Sequence, residues 1–252
     1  MTMRMRKRRN LEPRMERCAE YLISDPEQRK GKWRELCPGC SGLLLELGCG
    51  KGRFTADLAE SEPQKLVVAL ERVPDAMIIA MERAKNRSLS NVRFIDGNAA
   101  LLAAFFAPEE VDRIFINFCD PWPKSRDAKL RLTAPSFLRS YCDILPAGGQ
   151  ILFKTDNTPL FDWSVSVLEK EKWQISELTH DLHENGPVGI MTDYEAKFYA
   201  EGMKINRLVA VKTTETLGTA AGPVLRLKDA SLTDARGYSE SRAAFESRKE
   251  QA

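Results

Sequence analysis

The sequence predicts an α/β fold: a mainly parallel seven-stranded sheet with helices on both faces and an antiparallel pair at one edge. Three observations predict it. Short apolar runs alternate with helical stretches of about ten to fifteen residues, as βαβ units do. A glycine-rich turn, "GCGKG", follows the first apolar run. Two further strand-like runs come late, with only one short helix between them, which suits an edge pair added to a parallel core.

Each element has its own signal. After a basic arm, residues 13 to 36 read as helix, turn, helix, with Asp25-Pro26 as the break. Leu43 to Leu47 is apolar, short and closed by glycines, hence a buried strand. Residues 53 to 60 read as a helix, 65 to 70 as a strand and 74 to 87 as a helix. Residues 92 to 95 form a third strand, followed by a short helix near 99 to 105. Residues 113 to 118 are a fourth strand and 134 to 144 a helix. Residues 149 to 154 are a fifth strand and 159 to 170 a helix. Residues 173 to 179 and 204 to 212 complete the sheet, with a helix near 193 to 201 between them. Three regions result: a basic arm with helices (1–36), the α/β domain (37–212), and a C-terminal extension (213–252) that is polar and poor in large apolar groups.

Composition bounds the class. The chain has 252 residues, 43% hydrophobic and 29% charged, which suits one α/β domain with extensions. No stretch approaches the length of a membrane span, and the N-terminus has no apolar signal core, so the expected location is the cytoplasm. The formal charge of +2 hides a cluster of Lys and Arg in the first seventeen residues. Such an arm suits contact with nucleic acid, or is simply a solvated terminus. In that compartment the six cysteines (18, 37, 40, 49, 119, 142) are expected as reduced thiols. Cys37-Pro-Gly-Cys40 has the form of half a zinc site. Completing it requires His180 and His183, the only histidines, to converge. The preferred reading is a Pro-Gly turn and no metal.

The stretch "LELGCGKGRF", residues 45 to 54, joins the first strand to the first helix of the sheet. A dinucleotide fingerprint would need glycine at position 53, which is Arg53. Glu46 precedes Gly48 and Gly50. A carboxylate there repels a pyrophosphate but attracts a cofactor bearing an ammonium and a sulfonium, and S-adenosyl-L-methionine is such a cofactor. Glu71 ends the second strand, where an acid binds ribose hydroxyls in nucleotide-binding sheets. Asn98 follows the third, and its amide matches an adenine edge. The alternative is a buried structural acid at Glu46 and a surface charge at Glu71. It leaves unexplained why polar groups recur at the carboxyl ends of a parallel sheet, where ligands bind.

The most unusual stretch is "NFCDPWPKSR", residues 117 to 126. Asp120 falls just past the fourth strand, at the same edge. Pro121 and Pro123 stiffen the backbone around Trp122, which reads as a packing plug. Lys124, Arg126, Lys129 and Arg131 make the loop basic. An acceptor, an aromatic face and phosphate contacts together suit a reaction on a nucleobase.

At these residues the chain resembles the tRNA (guanine-N7)-methyltransferase family. The resemblance runs from the arm to about residue 212 and rests on "ELGCGKGRF", "NFCDPWPKSR…KLRL", "FKTDN" and "TDYEAKFYAEG". It implies a Rossmann-like class I methyltransferase fold and methylation of N7 of a variable-loop guanosine in tRNA. It implies cofactor contacts by Glu46, Glu71, Asn98 and Asp120, with Gly48 and Gly50 in the loop. Substrate contacts fall on Lys124, Asp156 and the run Thr192 to Glu195, including Tyr194. From its charge, Arg126 is expected to grip phosphate. Three positions depart from the family pattern: Cys119 for a usual proline, Asp127 for a histidine and Leu130 for a base. The last two lower the positive charge of the loop. The expected partner is tRNA, with no membrane and no obligatory protein partner, in a monomer or homodimer.

Three rival readings remain. Amino-methyltransferases of adenine or cytosine carry adjacent prolines after the fourth strand, which this chain lacks. A dehydrogenase is disfavoured by Arg53. A non-catalytic RNA-binding protein would have less need of intact Glu46, Glu71 and Asp120.

Overall fold

The computed structural model describes residues 10–218. Its centre is β1 (Gly42–Leu47), buried at every position. Leu43, Leu45 and Leu47 enter one core, while Leu44 enters the other. In β2 (Lys65–Glu71) the same alternation sends Leu66, Val68 and Leu70 one way and Val67 and Ala69 the other. A strand buried on both faces must be apolar on both, which is why these runs are continuous instead of alternating. The remaining strands are β3 (Val92–Asp96), β4 (Arg113–Asn117), β5 (Gln150–Thr155), β6 (Gln174–Thr179) and β7 (Asn206–Val211). Their order is β3-β2-β1-β4-β5-β7-β6, with β1 to β5 parallel and β7 antiparallel to both β5 and β6. The strand order reverses between β1 and β4, so a crevice opens at their carboxyl ends.

Helices α2 (Arg53–Ser61) and α3 (Pro74–Asn86) supply one core, and α5 (Pro135–Ile144) and α6 (Thr158–Lys170) the other. Two shorter helices, α4 (Leu102–Phe105) and α7 (Asp193–Ala200), complete the expected set. α2 and α3 pack closely because of Gly52: a Cβ there would lie 2.4 Å from the Ala80 Cβ, and its φ is +71°. That explains a glycine pattern which misses the dinucleotide spacing. The third glycine serves helix packing.

The N-terminal region differs from expectation. α1 spans Leu11–Arg17, but three 3₁₀ turns (Ala19–Tyr21, Pro26–Arg29, Trp33–Leu36) replace the second helix. Long-range contacts override local propensity here. The Ile23 N–H donates to the Phe94 carbonyl, and the buried Trp33 indole donates to the Phe105 carbonyl at 2.8 Å. Residues 18 to 36 therefore pack onto the sheet domain. The first six residues of the C-terminal extension also dock, through the Leu217 N–H to the Glu171 carbonyl and Thr216 to the Lys172 carbonyl. The rest of the arm and extension, 1–9 and 219–252, lies outside the described residues.

The cysteines need one correction. Cys37 and Cys40 form a disulfide instead of two thiols. The Pro-Gly turn holds their Cα atoms 5.5 Å apart, within the span that a disulfide bridges. His180 and His183 do not converge on it; they bond to Asn206 and Glu195 respectively. Among the described residues no cluster could hold a metal ion, and no helix is long and apolar enough to cross a membrane.

Candidate active site

The carboxyl edge of the sheet gathers the candidate groups. Glu46, near the end of β1, is 1% exposed. Thr55 of α2 donates to one carboxylate oxygen at 2.5 Å, and the Asn117 amide of β4 to the other at 3.2 Å. Burial pushes this carboxyl up to about 7, against the opposing pull of Thr55, Asn117 and Lys154. Glu46 is thus buried between α2 and β4, where two short polar side chains hold both of its oxygens.

Glu71 ends β2 as expected. Its carboxylate accepts from the Gly50 N–H at 2.8 Å and from the Arg72 and Val73 N–H groups at 2.9 Å. The Gly48 and Cys49 N–H groups donate to the Leu70 carbonyl, and Gly52 N–H to the Cys49 carbonyl. Four amides of the loop are therefore committed within the protein. A pyrophosphate cradle needs such amides free, which disfavours the dehydrogenase reading on grounds independent of Arg53. Asn98 starts the turn after β3, where its carbonyl oxygen accepts from the Ala100 N–H.

Asp120 follows β4 with its side chain 65% exposed, and its carboxylate lies 3.6 Å from the Arg72 guanidinium. Arg72 follows Glu71 directly, so this pair spans the crevice from the β2 end to the β4 end. Behind Asp120, Cys119 is pushed up to about 12 by burial and by the Asp120 charge, so it stays a neutral thiol. Phe118 and Trp122 both take positive φ, 52° and 42°. The backbone is held there by Arg131, which donates to the Pro121 and Trp122 carbonyls and stacks 4.3 Å above the Trp163 ring. Arg131 is thus engaged as a clamp on the loop. Trp122 is half-buried, short of the full plug expected.

Lys124, Arg126, Lys129 and Asp156 are exposed. Asp156 stands just past β5, beside the end of β4. At α7, Thr192 caps the helix and forms a capping box with Glu195. Tyr194 is exposed, but Glu195 is fully buried, with its carboxylate held by protein groups. It accepts from Lys154 at 2.6 Å, His183 at 3.1 Å and the Thr192 N–H at 3.2 Å. Burial lowers the pKa of Lys154 although Glu195 opposes this.

The sequence did not single out Thr55, Arg72, Asn117 or Lys154, and it marked His183 only as a possible zinc ligand. Only Lys154 carried a signal: a lysine inside the apolar run of a strand needs a buried partner. Two surface clefts, one including Trp173 and Gln174 and the other Asp112 and Gln150, lie where the strands begin. The ligand edge of an open α/β sheet is the opposite one.

A glycine loop closed by strand-end acids, on a sheet of this order, defines a class I methyltransferase. Solved structures agree on the fold. A 16S rRNA methyltransferase, KamB, matches with TM-score 0.57 at 16% identity, over 73% of this chain and 93% of that one. A 16S rRNA (adenine(1408)-N(1))-methyltransferase variant from Catenulisporales acidiphilia, solved with cosubstrate SAM, matches at 0.53 and 16%, over 76% and 92%. The family model described as "Putative methyltransferase" matches residues 41–208. A tRNA (guanine-N(7)-)-methyltransferase of Lachnoclostridium phytofermentans is 40% identical over 198 residues, 78% of this chain and 92% of the relative. One from Geobacillus kaustophilus is 40% identical over 194 residues, 77% and 89%. The chain belongs to the tRNA (guanine-N7-)-methyltransferase family and is an enzyme.

Proposed function

We propose that the protein transfers a methyl group from S-adenosyl-L-methionine to N7 of a variable-loop guanosine in tRNA, in the cytoplasm. The observation that carries this reading is Asp120: an exposed carboxylate on a clamped loop at the crevice, bridged by Arg72 to the end of β2. The named relatives support the choice of tRNA and of guanine N7.

The residues present fit S-adenosyl-L-methionine. The loop offers no phosphate nest, while Glu71 ends β2 and Glu46 adds an acid beneath the loop. When bound, this cofactor supplies a methyl group on a cationic sulfur. Glu71 would meet its ribose hydroxyls and Asn98 its adenine edge. A cationic ammonium near Glu46 would draw that carboxyl toward its ionised form.

Guanine N7 carries a lone pair in the plane of the ring, so no general base must remove a proton first. The protein's task is alignment and charge stabilisation. Asp120 and Asp156 accept from the N1–H and exocyclic amine of guanine, a pattern that adenine does not offer. Their charge also stabilises the purine as it turns cationic. Releasing Asp120 from Arg72 is cheap, because an exposed ion pair contributes about 0–1 kcal/mol. Lys124 and Arg126 hold phosphates, with Thr192 and Tyr194 beside the base.

Asp120→Ala tests the assignment. Methyl transfer is expected to fall by about a hundredfold or more, while tRNA affinity changes by less than about threefold. A variant with parental turnover would sink the role of Asp120.

A further inference from the structure

The buried group Lys154, Glu195 and His183 has no part in the reading above, and it joins the end of β5 to α7. Lys154 lies on β5, two residues before Asp156. Its ammonium donates to Glu195 at 2.6 Å and to the Ile190 carbonyl at 2.9 Å, and rests 5.2 Å from the Phe54 ring centre. His183 completes the set. Its Nδ1 accepts from the Val188 N–H at 3.2 Å, so the ring proton is on Nε2, which donates to Glu195 at 3.1 Å. Glu195 also accepts from the Thr192 N–H. Residues 188, 190, 192 and 195 are thus all tied to one strand end and to one another. Three further contacts fix where α7 stands: Asp193 pairs with Arg83 of α3 at 3.3 Å, Phe198 faces Phe118 of the Asp120 loop at 5.9 Å, and Tyr199 meets the His183 ring at 5.1 Å.

We infer that Lys154, Glu195 and His183 form a positioning latch that orders the segment from Val188 to Tyr194 at the carboxyl edge, so that this segment receives the RNA in a fixed place. The physical case is one of cost. A buried lysine and a buried glutamate are retained only when fully paired, and a hydrophobic pair of similar volume would often be as stable. What the ionic pair adds is one geometry: it selects the register in which Ile190, Thr192 and Glu195 approach β5. The segment holds Gly189, follows Gly186 and Pro187 directly and makes little regular structure before α7, so it depends on the latch for its position. None of the three residues is exposed enough to touch RNA. They act through Thr192 and Tyr194.

This inference rests on the tRNA reading for its substrate, and its test separates the two. His183→Phe removes both ring nitrogens but keeps a ring against Tyr199 and leaves Lys154 with Glu195. His183→Gln restores a donor toward Glu195. Hydrogen exchange is followed at the Val188 and Thr192 amides, together with the KM for unmodified tRNA and the Kd for S-adenosyl-L-methionine. In His183→Phe both amides are expected to exchange faster. The KM for tRNA rises about tenfold, cofactor Kd stays within about twofold, and His183→Gln lies between the variant and the parent. Unchanged exchange at Val188 and Thr192 overturns the latch. Faster exchange with parental KM also overturns it, as does a KM that moves only in step with cofactor Kd. A parent protein that methylates no tRNA overturns the substrate reading instead, and the exchange comparison still decides the latch.

Discussion

Glu46 shows how a single buried carboxyl can tie a helix to a strand beneath the site. Its two oxygens are held by Thr55 and Asn117, and burial raises its pKa from 4.5 to about 7. The folded chain therefore binds this proton more tightly than the unfolded chain. The stability it contributes is complete below about 4.5 and is lost as pH rises through about 7. Glu46→Gln removes the titration while keeping an acceptor for Thr55. Without cofactor, the melting temperature of the variant relative to the parent is expected to climb between about pH 5 and about pH 8. A difference that stays flat across that range contradicts the assignment. The acid itself was legible from its place before the glycines. Its burial was legible only as the alternative reading, and its partners were not, because Thr55 and Asn117 reach it from different elements, one of them 71 residues away.

The central strands and the helices of the sheet were legible because β1, β2, β4 and β5 are short, mostly apolar runs bounded by glycine, proline or charge. The edge pair was legible from its late position. What local pattern could not give was the N-terminal region, where Trp33 and Ile23 are placed by β3 and the turn after α4. Nor could it give the role of Arg131. Its charge suggested phosphate, but the Pro121 and Trp122 carbonyls and the Trp163 ring hold it. The loop that carries Asp120 contains two non-glycine residues at positive φ, each costing about 1–3 kcal/mol, and the Arg131 clamp opposes that strain. Arg131→Lys loses the two-pronged contact and the stacking. It is expected to lower kcat about tenfold with tRNA affinity nearly unchanged. Arg126→Ala is expected to do the reverse. Steady-state kinetics beside a binding titration decides this, and a pure affinity loss in Arg131→Lys returns that residue to the RNA surface.

At the scale of the molecule, charge placement matters more than the formal total of +2. Lys124, Arg126 and Lys129 stand exposed beside the crevice, while Asp127 and Leu130 dilute the charge of that loop. The arm carries five Lys or Arg among residues 1 to 10. If they compensate for the diluted loop, deleting residues 1 to 10 weakens tRNA binding and flattens its dependence on salt. The slope falls by about 0.7–0.9 for each phosphate that the protein no longer neutralises. An unchanged slope removes the arm from the RNA-binding surface. No sequence pattern assigns the arm a position, since a run of like charge specifies attraction without geometry.

The reaction itself is open to a single assay. Labelled S-adenosyl-L-methionine is incubated with the protein and unmodified bulk tRNA, and the product is cleaved chemically at 7-methylguanosine. Label is expected in tRNA, with cleavage at a variable-loop guanosine. Label on adenine or cytosine would contradict the proposed reaction and move Asp120 to amino-group chemistry. Cofactor binding without any label in tRNA would contradict it as well.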